Sequence, residues 1–180
     1  MTNRAIFLDR DGTVIRAVSR PEIRNHATAW SPWYVNEINF EPSLGEALKI
    51  FRDFGYLIVI VTNQPDVTYG NITEERWQEI QDIAMKEVKP DAIYICRHGK
   101  KDGCPRKKPL PGMLKDAEDN LNLNLAESFM IGDTENDVLA GKRAGCKTIL
   151  IRRPYNRDNT EANQNADFVV KSLLEAAAIV

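Results

Sequence analysis

The stretch RAIFLDRDGT, residues 4–13, gives the first indication of the fold. Its first half, Arg4 to Leu8, is short and mostly apolar, as in a buried β-strand, and the Asp-Gly pair that follows favours a turn. Asp9 and Asp11 would then follow the carboxyl end of a strand, where ligands bind in open α/β sheets. Two carboxylates so close repel each other unless a proton or a cation lies between them. Taken alone, the stretch favours an ordinary solvated turn, so its interpretation depends on the rest of the chain.

Length and composition indicate one globular domain of ordinary charge. The 180 residues are 43% hydrophobic and 28% charged, with a net charge of −2 and a pI near 5.8. This balance argues against nucleic-acid and anionic-membrane partners. The three cysteines and the lack of a leader-like or membrane-spanning apolar run predict a cytoplasmic protein without a disulfide framework, which we expect to be a monomer.

Five further apolar runs alternate with helical patterns along the chain. Strands are predicted at residues 56–61, 92–95, 129–131, 148–151 and 167–170. Helices are predicted to begin near Pro42, Thr73, Pro111 and Gly132, and a short one to close the chain. This alternation predicts an α/β fold with a doubly wound, mostly parallel sheet and helices on both faces, in a single domain spanning residues 1–180.

A long polar stretch at residues 16–41 interrupts this alternation. It holds Trp30, Trp33 and Tyr34, and it is longer than an ordinary connection. We expect it to form an irregular flap in which these aromatic side chains pack together, with a direct role as a ligand platform left as the alternative.

Polar groups follow several of the predicted strands. Thr62 and Asn63 end the second strand, Lys107 and Lys108 follow the third, and Asp133 follows the fourth. Each is unremarkable alone, because strand ends, basic loops and turns commonly carry such residues. Parallel strands, however, deliver all of them to the same edge of the sheet as Asp9.

This set of groups suits the hydrolysis of a phosphate monoester. An aspartate carboxylate such as Asp9 can act as the nucleophile, provided that a hard cation such as Mg²⁺ offsets the charge of the phosphate. Asp9 and Asp133 could hold the cation, while Lys108 and Thr62 bind the phosphoryl oxygens. Asp11 could protonate the leaving alcohol and then activate water.

Four motifs, in order, resemble those of the haloacid dehalogenase superfamily of phosphatases. They are DRDGT at 9–13, VTNQ at 61–64, KKPLPGM at 107–113 and GDTENDVLAG at 132–141. The similarity covers roughly residues 4–152, and four ordered motifs are far more specific than one. Within the superfamily the chain is similar to the branch that lacks a separate cap domain and includes histidinol-phosphate and heptose-bisphosphate phosphatases.

The resemblance implies a role for each motif. Asp9 would be the nucleophile and Asp11 the general acid and base. Mg²⁺ would be held by Asp9, Asp133 and the backbone carbonyl of Asp11.

The remaining motif residues would bind the phosphate group. Thr62 and Asn63 would contact its oxygens, Lys108 would stabilise it, and Asp137 would orient that lysine. Position 107, which contributes to substrate choice in this branch, is usually arginine. Lys107 cannot make the same forked contact.

The implied substrate is a small phosphorylated sugar. The sequence looks most similar to enzymes that remove the 7-phosphate of D-glycero-D-manno-heptose 1,7-bisphosphate on the route to nucleotide-activated heptose. The residues leave the anomer open, with the α form slightly favoured. A histidinol-phosphate phosphatase and a non-hydrolytic phosphoacceptor domain remain alternatives. A catalytically silent binding protein and a polynucleotide 3′-phosphatase fit less well.

A partial zinc pattern follows the third strand. Cys96, His98 and Cys104 resemble the start of this branch's Cys-x-His…Cys-x-Cys loop, but Arg106 stands where the fourth ligand would fall. Structural zinc sites are almost always closed by four protein ligands. Zinc therefore stays uncertain: either these three residues bind it with water, or the loop keeps its shape without metal, which we favour.

Two short matches to other phosphatase classes carry little weight. His98 follows a strand as a nucleophilic histidine would, but the only other histidine, His26, lies in the irregular stretch. Cys146 and Arg152 have the spacing of cysteine phosphatases, but the residues between them form a predicted strand rather than a phosphate-binding loop. Cys146 is expected to be a buried apolar residue.

Overall fold

The computed structural model describes residues 2–20, 30–158 and 160–180. The predicted flap at residues 16–41 is therefore described only in part, and His26 lies outside the described residues. No helix in the described part of the chain is long and apolar enough to cross a membrane.

Six strands and six helices alternate in the described residues. The strands are β1 (Ala5–Leu8), β2 (Leu57–Asn63), β3 (Ala92–Cys96), β4 (Phe129–Gly132), β5 (Lys147–Ile151) and β6 (Phe168–Val170). The helices are α1 (Leu44–Asp53), α2 (Glu74–Val88), α3 (Gly112–Leu121), α4 (Glu135–Ala144), α5 (Thr160–Asn165) and α6 (Leu173–Ala177). Every predicted strand and helix is present. The additional helix α5 has only six residues, too few to show a helical pattern in the sequence.

All strand pairs are parallel, and the sheet order is β3-β2-β1-β4-β5-β6. Strand β1 lies in the middle, and the chain winds outward from it in both directions. The doubly wound α/β prediction is therefore confirmed. The change of direction beside β1 opens a crevice at its carboxyl end, as such folds generally do.

The core lies on both faces of the sheet. Ile6 and Leu8 of β1 pack with α1 and α6 on one face, whereas Ala5 and Phe7 pack with α3 and α4 on the other. Because successive side chains of a strand point to opposite faces, a fully apolar strand such as β1 must be covered on both sides. This double burial fixes the position of the residues that follow β1.

The helix boundaries follow the expected capping chemistry. The Thr73 hydroxyl accepts a hydrogen bond from the backbone N–H of Arg76 at the start of α2. Gly145 ends α4 with a φ of 94°, a conformation that glycine adopts without strain. The position of Thr73 at the start of α2 agrees with the prediction from the sequence.

Candidate active site

A cavity of about 310 Å³ opens at the carboxyl ends of β1, β2 and β4. It is lined by seven of the predicted site residues: Asp9, Asp11, Thr62, Asn63, Lys108, Asp133 and Asp137. The tertiary structure thus brings together groups from four motifs that are up to 128 residues apart in the sequence, from Asp9 to Asp137. Lys107 does not line this cavity.

Lys108 connects two of the carboxylates. Its Nζ donates hydrogen bonds to Asp9 Oδ1 at 2.8 Å, to Asp137 Oδ1 at 2.6 Å and to the backbone oxygen of Val61 at 2.8 Å. These three acceptors match the three donors of the ammonium group. Burial disfavours its charge, but the carboxylates of Asp137 and Asp9 outweigh burial and raise the pKa of Lys108 above its ordinary value. The lysine is therefore held charged against Asp9.

Both carboxylate oxygens of Asp137 accept hydrogen bonds. Its Oδ1 accepts from Lys108, and its Oδ2 accepts from the backbone N–H of Thr134 at 3.0 Å and from the Thr134 hydroxyl at 2.5 Å. The last two bonds also cap the first turn of α4. Asp137 is therefore in direct contact with Lys108, and its role in orienting that lysine stays a prediction.

Asp133 is held by two residues that the sequence analysis missed. Tyr155 Oη donates to its Oδ2 at 2.5 Å, and Asn156 Nδ2 donates to its backbone oxygen at 2.6 Å. Both follow the carboxyl end of β5, so they could have been found by extending the strand-end argument to that strand. Asp133 Oδ1 is buried and has no partner among the described residues.

Gly12 leaves room for Asp133. Its φ is 91°, and a Cβ placed on it would lie 2.1 Å from Asp133 Oδ2. No other residue could occupy position 12 without moving the carboxylate. The glycine after the two aspartates is thus required for the approach of β1 to β4, in addition to the turn.

The carboxylates fit a divalent cation. Asp9, Asp133 and Asp137 each offer an oxygen, and these oxygens all lie within 4.8 Å of one another. Burial, together with the charges of neighbouring carboxylates, raises the pKa of Asp9 to about 6 despite the opposing effect of Lys108. Burial and the charges of Asp137 and Asp9 likewise raise the pKa of Asp133 well above its ordinary value. Oxygen-rich sites with excess negative charge suit hard cations such as Mg²⁺.

Asp11 and Thr62 also line the cavity. The Asp11 carboxylate accepts hydrogen bonds from the guanidinium of Arg10 and from Gln64 Nε2. Gln64 Nε2 also donates to Thr62 Oγ1 at 2.9 Å. Because this oxygen acts as an acceptor, the Thr62 hydroxyl proton is available to a ligand.

The Asn63 side chain is paired with the backbone of Lys108. Its Nδ2 donates to the backbone oxygen of Lys108 at 2.9 Å, and its Oδ1 accepts from the backbone N–H of Lys108 at 3.0 Å. This reciprocal pair engages the amide oxygen and one of the two N–H donors of Nδ2. The side chain therefore fixes the segment that carries Lys108, and a contact between Asn63 and phosphate stays a prediction.

Lys107 lies outside the lining of the main cavity. Its Nζ donates to the backbone oxygen of His98 at 2.7 Å, and the residue lines an adjacent groove together with Lys100 and Cys104. Burial lowers the pKa of Lys107, although the neighbouring cysteines partly oppose this effect. The adjacent groove shares part of its lining with the main cavity, so Lys107 lies beside the site.

The partial zinc pattern converges but does not close. Donor atoms of Cys96, His98 and Cys104 lie within 4.8 Å of one another. Arg106, at the fourth position, is turned to Asp116, with its Nε 2.8 Å from Asp116 Oδ2. Within the described residues the cluster has three donors, which does not fit a closed structural zinc site.

Part of the predicted flap lines the cavity. Val18 and Trp30 exchange two backbone hydrogen bonds, and Trp30 packs edge-on against Trp33 at 5.7 Å between ring centroids. Trp30 and Ser31 line the cavity. The two tryptophans therefore pack together as expected, and Trp30 also reaches the site. Tyr34, by contrast, is 48% exposed and its ring contacts the guanidinium of Arg76.

Comparisons with known proteins identify the family. The HAD-hydrolase-like family model matches residues 105–176. The D-glycero-β-D-manno-heptose-1,7-bisphosphate 7-phosphatase of Haemophilus ducreyi is 32% identical, and the alignment covers 100% of each chain. The enzyme of the same name from Escherichia coli K12 is 33% identical, with 95% of this chain and 90% of the relative covered.

A solved structure agrees with these relatives. The D,D-heptose 1,7-bisphosphate phosphatase of B. bronchiseptica, complexed with magnesium and phosphate, superposes with a TM-score of 0.80 at 26% identity, and 98% of this chain and 97% of that chain are covered. Because the similarity extends over the whole chain, and the described site holds the groups that phosphoryl transfer requires, the protein is a phosphoric monoester hydrolase that belongs to the heptose-bisphosphate phosphatase family of haloacid dehalogenase-like hydrolases.

Proposed function

We propose that the protein hydrolyses a heptose 1,7-bisphosphate at its 7-phosphate, using Mg²⁺ and an aspartyl-phosphate intermediate on Asp9. The observation that carries this proposal is the convergence of Asp9, Lys108 and Asp133 in one buried corner of the cavity. The names of the full-length relatives support the substrate. Location in the cytoplasm and a monomeric state remain predictions from the sequence.

The residues divide the work of the first half-reaction. Asp9 attacks the phosphorus atom, and the bond between phosphorus and the sugar oxygen breaks. Asp11 gives a proton to the departing oxygen. Lys108 and the Thr62 hydroxyl bind the phosphoryl oxygens, on which negative charge is spread in the transition state.

The second half-reaction uses the same residues in reverse. Asp11, now deprotonated, takes a proton from water, and that water attacks the phosphorus atom bound to Asp9. The bond from phosphorus to the Asp9 oxygen breaks, which restores the free carboxylate and releases phosphate. A cation held by Asp9, Asp133 and the backbone oxygen of Asp11 would supply positive charge to the phosphoryl group.

Two predicted phosphate-binding residues receive revised roles in this proposal. Asn63 positions Lys108 by holding its backbone. Lys107 contributes to substrate choice from the adjacent groove, which shares Tyr69 and Asn136 with the main cavity. A bisphosphate can extend from the one into the other.

The relatives reported above carry the β designation, in contrast to the slight preference for the α anomer in the sequence. We therefore propose the β anomer as the substrate. Phosphate release should be compared for both heptose bisphosphate anomers, histidinol phosphate and a set of sugar monophosphates. A preference for histidinol phosphate would reject the heptose assignment while leaving the phosphatase activity intact.

The role of Asp9 is tested by Asp9→Asn. This change preserves shape but removes the nucleophile, so kcat should fall by ~10³-fold or more. Circular dichroism and Tm should show that the variant is folded. A folded variant that keeps more than about one hundredth of the wild-type rate would contradict the nucleophile assignment.

A further inference from the structure

Arg10 is buried and contacts Asp11, but it has no part in the reaction described above. Arg10 is only 1% exposed and is the largest of the fully buried side chains in the described part of the chain. It does not line the main cavity, so it has no direct access to the phosphate-binding corner. A permanently charged group in such a position requires an explanation.

Four hydrogen bonds hold the Arg10 guanidinium. Nε donates to Asp11 Oδ1 at 3.0 Å, and Nη2 donates to Asp11 Oδ2 at 2.9 Å. Nη2 also donates to Gln64 Oε1 at 2.7 Å, and Nη1 donates to Gln81 Oε1 at 2.8 Å. The two bonds to Asp11 form a bidentate fork, which fixes the plane of the carboxylate as well as its distance.

The network is anchored in helix α2. Gln81 lies on the buried face of α2, and Trp77 of the same helix donates from its indole N–H to Gln64 Oε1 at 3.3 Å. Gln64 in turn donates to Asp11 Oδ2 at 2.6 Å. Asp11 therefore accepts three hydrogen bonds from groups whose own positions are fixed by a helix outside the motif regions.

Stability alone does not account for this arrangement. A buried ion pair commonly contributes no more stability than well-packed apolar side chains of similar volume. What the pair does provide is a fixed carboxylate at the edge of the cavity. A proton donor must lie within hydrogen-bond reach of the leaving oxygen, and a displacement of ~1 Å can cost ~10²-fold in rate.

We propose that Arg10, supported by Gln64 and Gln81, is a positioning residue that holds the Asp11 carboxylate in place for proton transfer to the leaving group. The inference rests on the proposed function, in which Asp11 is the proton donor. Arg10 acts through Asp11 and does not touch the substrate.

A series of aryl and sugar phosphates tests this role. Good leaving groups such as 4-nitrophenolate need little protonation, whereas phenolate and sugar alkoxides need it strongly. Arg10→Lys keeps the charge but loses the fork. Its kcat/KM should fall ~10- to 100-fold for phenyl phosphate and the sugar phosphate, but less than ~3-fold for 4-nitrophenyl phosphate. The plot of log(kcat/KM) against leaving-group pKa should become steeper.

A second variant keeps the test decisive if Arg10→Lys does not fold. Gln81→Met preserves the size of a side chain outside the cavity and removes one partner of Arg10. It should steepen the same plot to a smaller extent. Arg20→Lys is the matched control, because Arg20 is also buried and makes a bidentate pair, with Glu37. That variant should leave the slope unchanged.

A double-mutant cycle shows whether Arg10 acts through Asp11. In an Asp11→Asn background, Arg10→Lys should lower kcat/KM for phenyl phosphate and the sugar phosphate by less than a further ~3-fold. The reason is that the carboxyl group that Arg10 positions has already lost its function. A uniform loss for all leaving groups in folded variants, or losses that multiply in the double variant, would overturn the proposal. If wild-type protein hydrolysed none of the phosphates, or Asp9→Asn stayed active, the proposed function itself would fail instead.

Discussion

Asp133 shows how far one site residue depends on distant parts of the chain. Its carboxylate fits only because position 12 lacks a side chain, and it is held by Tyr155 from the end of β5. One of its oxygens stays without a partner in the described residues. Burying an unpaired oxygen is unfavourable unless a ligand binds it, so the surroundings of Asp133 favour a bound cation.

Asp133→Ala should weaken the dependence on Mg²⁺ by removing this oxygen. We expect the Mg²⁺ concentration that gives half-maximal phosphate release to rise ~10- to 100-fold or more. Asp66→Ala is the matched control, since Asp66 lines the same cavity but its carboxylate is paired with Ser31 and Asn71. Unchanged Mg²⁺ activation in Asp133→Ala would remove this residue from the cation site.

At the scale of elements, the clearest patterns belong to the buried strands and the capped helices. Strand β1 is apolar throughout because the sheet is covered on both faces. Helix α2 begins directly after Thr73 because the hydroxyl of this residue satisfies a free N–H of the first turn. The loop after β3 is less regular, and its three metal-binding side chains converge without a fourth. The identity of one residue, Arg106, therefore decides whether this loop has three or four zinc ligands.

Arg106→Cys should convert this loop into a closed zinc site. A fourth thiolate would complete the tetrahedral set that Cys96, His98 and Cys104 begin, so we expect about one zinc ion per chain. Wild-type protein should retain clearly less zinc per chain after dialysis against a weak chelator. Arg106→Ser is the control, because it breaks the ion pair with Asp116 without adding a thiol. Metal content should be measured by mass spectrometry, and equal zinc in all three proteins would contradict the expectation.

At the scale of the whole molecule, the buried carboxylates of the site lower the free energy of unfolding when no cation is bound. Burial, aided by nearby carboxylates, raises the pKa of Asp9 from 3.8 to about 6. The folded protein therefore binds this proton more tightly than the unfolded chain does. The contribution of Asp9 to the free energy of unfolding therefore declines as the pH rises from about 4 through about 6. A divalent cation binds the deprotonated form and offsets this loss.

Mg²⁺ should accordingly raise Tm more at pH 7.5 than at pH 5. At a hundredfold excess over Kd, binding contributes about 2.7 kcal/mol, which corresponds to ~5–10 °C for a domain of this size. At pH 5 the Asp9 proton competes with the cation, so the increase should be smaller. Differential scanning calorimetry with sodium chloride at matched ionic strength provides the comparison. Equal shifts at both pH values would contradict the linkage between Asp9 and the cation.

The sequence by itself determined the alternation of elements and the four motifs, because apolar periodicity and capping are local properties of the chain. Only the tertiary structure decided which groups contact one another. The Asn63 amide binds the Lys108 backbone, and Lys107 binds the backbone oxygen of His98 outside the main cavity. Tyr155 and Arg10 donate hydrogen bonds to two of the site aspartates, Asp133 and Asp11. These pairings join residues brought together by sheet order and helix packing. Sheet order and packing depend on the burial of both faces of the sheet, a property of the whole chain that no short segment carries.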